Sequence, residues 1–86
     1  MKKEASSIQS KLDIRGYRKS EALILLEEFL DDALISNSSM VQIVHGIGNG
    51  VLRRTVREKL KEYKDVTEIS SPPDEQGGEG VTWVKF

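Results

Sequence analysis

With 86 residues, the chain is long enough for one small domain and too short for two lobes around a cleft. The absence of cysteine excludes a disulfide framework, a zinc finger and a thiol nucleophile. The net charge of −1 does not show that the charges are unevenly distributed, with one predicted helix acidic and the next basic. Neither a signal-peptide pattern nor a membrane-spanning apolar run is found, so we expect a cytoplasmic protein that does not contact a membrane.

The first half of the chain predicts a tail, a strand and a helix. Residues 1–10 are polar and are expected to form a flexible tail or the end of a linker. A short strand is expected over residues 11–14, and Arg15-Gly16 begins a turn. A helix is expected over residues 19–36, because apolar side chains recur on one face. The opposite face of this helix is acidic, with Glu27, Glu28, Asp31 and Asp32.

The second half predicts three strands and a second helix. A strand is expected at Met40–Val44, a helix over residues 50–63 and a third strand over residues 66–70. Pro72-Pro73 ends that third strand, since proline cannot continue an interior strand. Residues 74–80 contain three glycines and three acids and are expected to form a mobile loop. Residues 81–86 are expected to form the last strand.

This alternation of elements predicts an α/β fold, a two-layer βαβαββ sandwich with a four-stranded mixed sheet and two helices on one face. A right-handed first crossover makes the first two strands parallel. The last two strands are expected to add an antiparallel pairing. The sheet face without helices is expected to be partly open.

The glycine-rich stretch His45-Gly46-Ile47-Gly48-Asn49-Gly50 lies between the second strand and the second helix. Backbone N–H groups at a helix start lack intrahelical partners, and glycines let a phosphate approach them closely. The histidine adds a group that can transfer a proton near neutral pH. The functional interpretation is a phosphodiester site. The alternative is a tight strand-to-helix turn that needs positive φ at several positions.

Three chemically active side chains lie at the ends of the first two predicted strands, at the same edge of the sheet. Arg15 can bind two phosphate oxygens, Asp13 can hold a divalent cation or orient a water, and His45 can transfer a proton. Because parallel strands end at the same edge, we expect the three to surround one pocket. The alternative is a surface ion pair between Asp13 and Arg15 beside a hydrogen-bonded turn histidine.

The second helix carries a basic stripe opposite its apolar face. A stripe of this kind binds phosphates without reading sequence. The alternative is a solvated helix face. The residues of the stripe are Arg53, Arg54, Arg57, Lys61 and Lys64. Other phosphate-binding and catalytic signatures do not fit, since the sequence lacks a P-loop, a dinucleotide fingerprint, a serine nucleophile elbow and zinc-ligand spacing.

Three segments together resemble the Smr (small MutS-related) domain, and their order and separations also match. The resemblance covers about residues 11–86 and looks closest to the C-terminal domain of bacterial MutS-like proteins of the second kind. Its segments are Leu12-Asp13-Ile14-Arg15-Gly16, His45-Gly46-x-Gly48-x-Gly50 and Gly77-Gly78-x-Gly80-x-Thr82.

This resemblance implies a fold similar to the C-terminal domain of translation initiation factor three. It also implies a nicking endonuclease that acts on DNA or RNA with little sequence preference, helped by a divalent cation, Mg²⁺ or Mn²⁺. The parent would be a large MutS-like ATPase, expected to be dimeric, with no ATP site in this segment. Such parents are associated with suppressing homologous recombination through branched DNA and with rescuing collided ribosomes through ribosomal RNA.

The resemblance also implies roles for individual residues. Asp13 and Arg15 match the motif tied to cleavage, and Asp13 is the candidate metal ligand. The loop held to bind nucleic acid or to assist catalysis contains His45, Gly46, Gly48, Asn49 and Gly50. A third patch contains Gly78, Gly80 and Thr82. The alternative function is a non-catalytic module that binds branched DNA or ribosomal RNA.

Overall fold

Four strands and two α-helices alternate along residues 10–86, the part of the chain that this computed structural model describes. The sheet order is β1-β2-β4-β3, with β1 parallel to β2 and the other two neighbouring pairs antiparallel. This mixed sheet with its helices confirms the predicted α/β sandwich. The elements are β1 (Ser10–Asp13), α1 (Lys19–Ile35), β2 (Met40–Val44), α2 (Val51–Leu60), β3 (Glu68–Ser70) and β4 (Val81–Lys85).

The two faces of the sheet differ in what covers them. Val41 and Ile43 of β2 are fully buried in a core shared with both helices, whereas Met40, Gln42 and Val44 alternate to the other face and are half-buried. Ile43 pairs with Thr82, and Val44 pairs with Asp13. Because paired residues point to the same side of a sheet, Thr82 faces the helices and Asp13 faces the open side.

The helix α1 forms where apolar residues recur at three- and four-residue spacing. Its buried residues are Ala22, Leu26, Leu30 and Ala33. The N–H of Arg18 donates to Glu21 Oε1 at 3.1 Å at the start of the helix. At its other end Asn37 adopts φ 59°, a left-handed conformation that stops helical winding.

The helix α2 begins directly after the glycine-rich stretch and is shorter than predicted. Its N-cap is Gly50, and the N–H of Val51 donates to Asn49 Oδ1 at 3.1 Å in an Asx turn that leads into the helix. The helix ends at Leu60, whereas residues 50–63 were expected. The N–H of Tyr63 donates to Leu60 O at 3.1 Å, which tightens the chain into a turn. Lys59 pairs with Glu27 of α1 at 2.8 Å and so links the basic helix to the acidic one.

Several predicted boundaries are wrong by one to three residues. The first strand begins at Ser10, inside the predicted tail, while residues 1–9 of that tail lie outside the described part of the chain. The third strand begins at Glu68 rather than residue 66, because the chain is still turning at Val66, whose N–H donates to Tyr63 O. No helix among residues 10–86 is long and apolar enough to cross a membrane.

The segment expected to be a mobile loop forms two consecutive 3₁₀ turns, Asp74–Gln76 and Gly78–Gly80. The N–H of Gly78 donates to Pro73 O at 3.1 Å, and the N–H of Gly80 donates to Gly77 O at 2.9 Å. Gly78 and Gly80 are buried. These turns bring Gly80 directly against the end of β2, where the candidate site lies.

Candidate nucleic-acid interface

Asp13 and Arg15 form a tight exposed ion pair at the end of β1. Arg15 Nη2 lies 2.6 Å from Asp13 Oδ2, and Arg15 Nε lies 3.0 Å from Oδ1. The backbone N–H of Arg15 also donates to Oδ1 at 3.1 Å, because the chain turns sharply after the strand. Hydrogen bonds from Arg15 lower the pKa of Asp13 to about 2. The carboxylate is therefore ionised at neutral pH and accepts from the guanidinium through both oxygens.

The residues around Asp13 do not fit a resident divalent cation. Mg²⁺ and Mn²⁺ prefer several oxygen ligands, and a lone carboxylate supplies too few of them. Both oxygens of this carboxylate are already engaged by Arg15. Among residues 10–86 no group of three acids, histidines or cysteines is placed to hold a metal ion.

His45 lies on the other face of the sheet and is buried, with 4 % of its surface exposed. Its Nε2 lies 2.8 Å from Thr82 Oγ1, and its Nδ1 lies 2.9 Å from Gly46 O. A carbonyl oxygen can only accept, so Nδ1 carries the proton and donates. Nε2 is then the acceptor and receives the Thr82 hydroxyl. Both ring nitrogens are used to hold the turn in place.

The surroundings of His45 keep its ring neutral. Burial lowers the pKa of His45 below its usual value of 6.5, and the nearby positive charges of Arg57 and Arg53 lower it further. The hydrogen bond to Gly46 O opposes this shift, since it favours a protonated ring. A buried neutral imidazole with both nitrogens engaged fits a positioning role better than proton transfer.

The glycine-rich stretch is anchored at its first residues and open at its tip. The N–H groups of His45 and Gly46 both donate to Gly80 O, at 3.1 and 2.9 Å. They are therefore not available to an anion. The N–H groups of Ile47, Gly48 and Asn49 donate to no acceptor within residues 10–86. These three groups, beside the N-terminus of α2, are the part of the loop that can receive a phosphate.

Two arginines of α2 lie one helical turn apart beside the loop. Arg53 Nε and Arg57 Nε are both buried and have no hydrogen-bond partner within residues 10–86. Arg57 donates from Nη2 to Ser71 Oγ at 2.8 Å. Burial lowers the pKa of the Arg57 guanidinium, and so does the charge of Arg53. Two like charges held together with unpaired donors are a strong anion-binding arrangement, because an anion would relieve both the repulsion and the missing hydrogen bonds.

The other predicted basic residues lie farther out. Arg54 is exposed on the surface of the first half of α2. Lys61 is exposed immediately after the end of that helix, roughly 17 Å along its axis from Gly50 at 1.5 Å per residue. The backbone N–H of Arg54 donates to Gly50 O at 3.0 Å, but no side-chain contact joins Arg54 or Lys61 to the glycine-rich stretch within residues 10–86.

The structure divides the predicted pocket into two groups. Asp13 and Arg15 lie on the open-face side of the sheet edge, whereas His45 lies under α2 with Arg53 and Arg57 nearby. The expected gathering of Asp13, Arg15 and His45 around one cavity is therefore not formed. Alternation along the strand explains this. Asp13 points to the same side of the sheet as Val44, and His45, the residue after Val44, points to the opposite side.

Gly46 lies between the two groups. A Cβ atom at Gly46 would lie 3.4 Å from Arg15 Cγ, so the stem of this arginine packs directly against the glycine. Gly46 has φ 79°, a conformation that glycine adopts without strain. The two groups therefore border the same turn from opposite sides.

The third predicted patch supports the loop from β4. Gly80 accepts both anchoring N–H groups, and Thr82 donates to the imidazole. Gly78 has φ 51°, and a Cβ there would lie 2.8 Å from Asp74 Oδ1. This patch holds the 3₁₀ turns and the glycine-rich stretch together. Ser71, which binds Arg57, was not predicted, because nothing in the sequence pairs it with a residue 14 positions earlier.

Comparison with known proteins agrees with this geometry. The family model described as Smr domain matches residues 12–86. A protein named endonuclease MutS2 from Streptococcus suis (strain 05ZYH33) is 45 % identical over 78 residues, which is 91 % of this chain and 10 % of the relative. A protein of the same name from Staphylococcus aureus is 43 % identical over 76 residues, covering 88 % of this chain and 11 % of the relative. The chain thus spans about a tenth of the length of these relatives.

Two solved structures share the fold. The crystal structure of the Smr domain of Thermus thermophilus MutS2 superposes with a TM-score of 0.84 at 36 % identity, covering 88 % of this chain and 95 % of that one. YdaL, a stand-alone small MutS-related protein from Escherichia coli, gives a TM-score of 0.84 at 24 % identity. It covers 88 % of this chain and 63 % of its own. The second match shows the fold alone.

Proposed function

The chain belongs to the Smr domain family, and from this premise we propose that it is a nicking endonuclease module. It would cut DNA or RNA phosphodiesters with little sequence preference, as one part of a larger MutS2-type protein. The observation that carries the proposal is a set of anion-binding groups that border the glycine-rich stretch from both sides. Arg15 lies on one side of Gly46, the free N–H groups lie at the loop tip, and Arg53 with Arg57 lies on the other side.

These groups are suited to phosphate rather than to bases. Guanidiniums and backbone N–H groups bind phosphate oxygens and carry no sequence information. Binding is therefore expected to be strong at low salt and insensitive to base sequence.

The cleavage step is assigned to Asp13 and Arg15. A bound phosphate competes with Asp13 for the Arg15 guanidinium, because both are anions that fit its fork. The released carboxylate would orient a water whose oxygen attacks phosphorus while the bond to the leaving oxygen breaks, and the proton lost by that water would reach the leaving oxygen through solvent. The side-chain hydrogen bonds from Arg15 that lower the pKa of Asp13 are lost on this release, but an ordinary carboxylate is still a weak base, so Asp13 orients the water rather than keeping its proton. Arg15 stabilises the charge that develops on the phosphate.

His45 is given a positioning role in this proposal. Its ring holds Gly46 and Thr82, and through Gly46 it fixes the surface against which Arg15 packs. The donor set around Asp13 does not fit a resident cation. We expect cleavage to need Mg²⁺ or Mn²⁺, and a comparison of these ions with EDTA tests this expectation.

The second candidate function is binding without cleavage. One observation favours it. Arg15 donates to both oxygens of Asp13, so this carboxylate has no unengaged oxygen with which to orient a water. In that case the edge would place the parent protein on branched DNA or ribosomal RNA. The parent, expected to be a dimeric cytoplasmic ATPase, would then act in suppressing recombination or in rescuing collided ribosomes through its other domains.

A nicking assay on the whole 86-residue chain separates the two. Supercoiled plasmid and a structured RNA are incubated with Mg²⁺, with Mn²⁺ or with EDTA. Asp13→Asn is expected to abolish cutting while binding is kept, and Glu68→Gln, an exposed acid paired with Lys85 elsewhere, is the matched control. Cutting that persists in Asp13→Asn would remove Asp13 from the mechanism. Tight binding with no cutting under any condition would establish the binding module.

A further inference from the structure

One apolar side chain lies at the centre of this phosphate-binding edge. Ile47 exposes 66 % of its surface between Gly46 and Gly48. On the basis of the proposed function, we propose that Ile47 contacts an unpaired, unstacked nucleobase of the bound nucleic acid. It would thereby make the module prefer strands with unpaired bases to uniform duplex.

The loop holds this side chain outward. The C=O of Ile47 accepts the N–H of Gly50 at 3.1 Å, and the preceding residue donates its N–H to Gly80 O. Gly46 and Gly48 have φ of 79° and 41°, which turn the chain sharply on both sides. A Cβ at Gly80 would lie 3.5 Å from Ile47 Cγ1, so the buried Gly80 lies close to one side of this side chain. Ile47 is therefore a fixed projection, and little conformational entropy is lost when it is covered.

The neighbours of Ile47 explain why a nucleobase would cover it. The N–H groups of Ile47, Gly48 and Asn49 are free for phosphate oxygens, and guanidiniums lie on either side of the turn. A sugar–phosphate strand held by these groups brings its attached base beside the loop tip. Val51, at 37 % exposure, continues the apolar surface into the first turn of α2. An apolar contact at this point complements polar contacts that bind only the backbone.

The chemistry of isoleucine selects unstacked bases. Its side chain cannot hydrogen-bond to base edges, so it contributes through contact with a base face. Separating an intact base step costs free energy, and this cost falls when the base is already unpaired. A bulge, a gap or a loop should therefore bind more tightly than duplex of the same charge.

Two other exposed isoleucines provide matched controls. Ile24 and Ile35, at 59 % and 83 % exposure, lie on α1 beside acidic residues such as Glu28 and Asp31. That surface repels phosphate, so their exposure predicts nothing about nucleic acid. Replacing one of them changes surface hydrophobicity without changing the proposed contact.

The test compares two short DNA duplexes of one sequence, of which one contains a single bulged nucleotide. Dissociation constants are measured by fluorescence anisotropy at low salt for the unchanged chain and its variants. The unchanged chain is expected to prefer the bulged duplex about tenfold, and Ile47→Ala is expected to lose most of that preference. Ile47→Leu should keep it, because leucine preserves an apolar projection. Ile35→Ala should behave as the unchanged chain.

Three outcomes would overturn the inference. The first is an Ile47→Ala variant with undiminished preference, and the second is an Ile47→Leu variant that loses it as completely as alanine does. In either of these two outcomes the unchanged chain still binds nucleic acid, so the proposed function is not overturned. The third is an unchanged chain that binds neither duplex, which would overturn the proposed function as well.

Discussion

The imidazole of His45 and the hydroxyl of Thr82 form a buried hydrogen bond, 2.8 Å long, that ties the glycine-rich stretch to β4. The two residues are 37 positions apart and belong to different motifs. Because Gly80 also accepts both N–H groups that begin the stretch, the two motifs form one structural unit. The third motif therefore acts by holding the turn that carries the phosphate-binding groups.

Replacing Thr82 with valine tests the energetic importance of this bond. Thr82→Val keeps the shape but leaves His45 Nε2 without a donor in a buried place. The free energy of unfolding is expected to fall by about 1–3 kcal/mol, the cost of a buried unsatisfied polar group. Urea unfolding followed by circular dichroism measures it. Thr67→Val, at an exposed threonine, is the control and should change stability by less than about 0.5 kcal/mol.

Stability should also depend on pH through His45, the sole histidine of the sequence. Its pKa is lowered in the folded state by burial and by Arg57 and Arg53, whereas the unfolded chain titrates near the usual 6.5. The unfolded chain thus binds more protons, so the stabilisation is complete above pH 6.5 and is lost as the pH falls below it.

Unfolding midpoints between about pH 7.5 and 5 measure this effect, above the range in which ordinary carboxylates titrate. A His45→Gln variant should be nearly flat across the same window. An NMR titration that places the folded-state pKa of His45 at or above 6.5 would contradict the expectation.

The 3₁₀ turns beside the site depend on Gly77. This residue has φ 115°, and a Cβ there would overlap Val81 Cγ2. Gly77→Ala is expected to cost about 3 kcal/mol of stability or more, since both the backbone and the packing oppose it. Gly16→Ala, at φ 83° with open space around the glycine, is the matched comparison and should cost about 1–2 kcal/mol. Equal losses in thermal unfolding would show that the Val81 contact is unimportant.

The paired arginines of α2 should set the salt dependence of binding. An Arg53→Gln, Arg57→Gln double variant removes two phosphate contacts, so the slope of log K against log salt should become shallower by about 2. Its stability should not fall sharply, because the change also removes the repulsion between the two guanidiniums. Lys85→Gln, whose lysine is paired with Glu68, is the control. An unchanged slope in the double variant would remove this pair from the interface.

Much of the fold could be predicted because it depends on local patterns. The three- and four-residue spacing of Leu26 and Leu30 is typical of a helix buried on one face, and the structure confirms it. The alternation of β and α elements restricts the topology to a mixed sheet with a parallel first pair. Boundaries were less accurate, since the last turn of α2 and the start of β3 depend on hydrogen bonds that form after the elements pack.

The sequence predicted which residues form the candidate site but not how they are arranged. It follows from the sequence that an acid, a guanidinium and a glycine-rich stretch lie at the ends of neighbouring strands, because strand ends and turns are encoded locally. The tertiary structure alone decided that Asp13 and His45 point to opposite faces, since this depends on the register between β1 and β2. It also decided that Arg53, Arg57 and Thr82 surround the imidazole, because packing α2 and β4 together brings distant positions into contact.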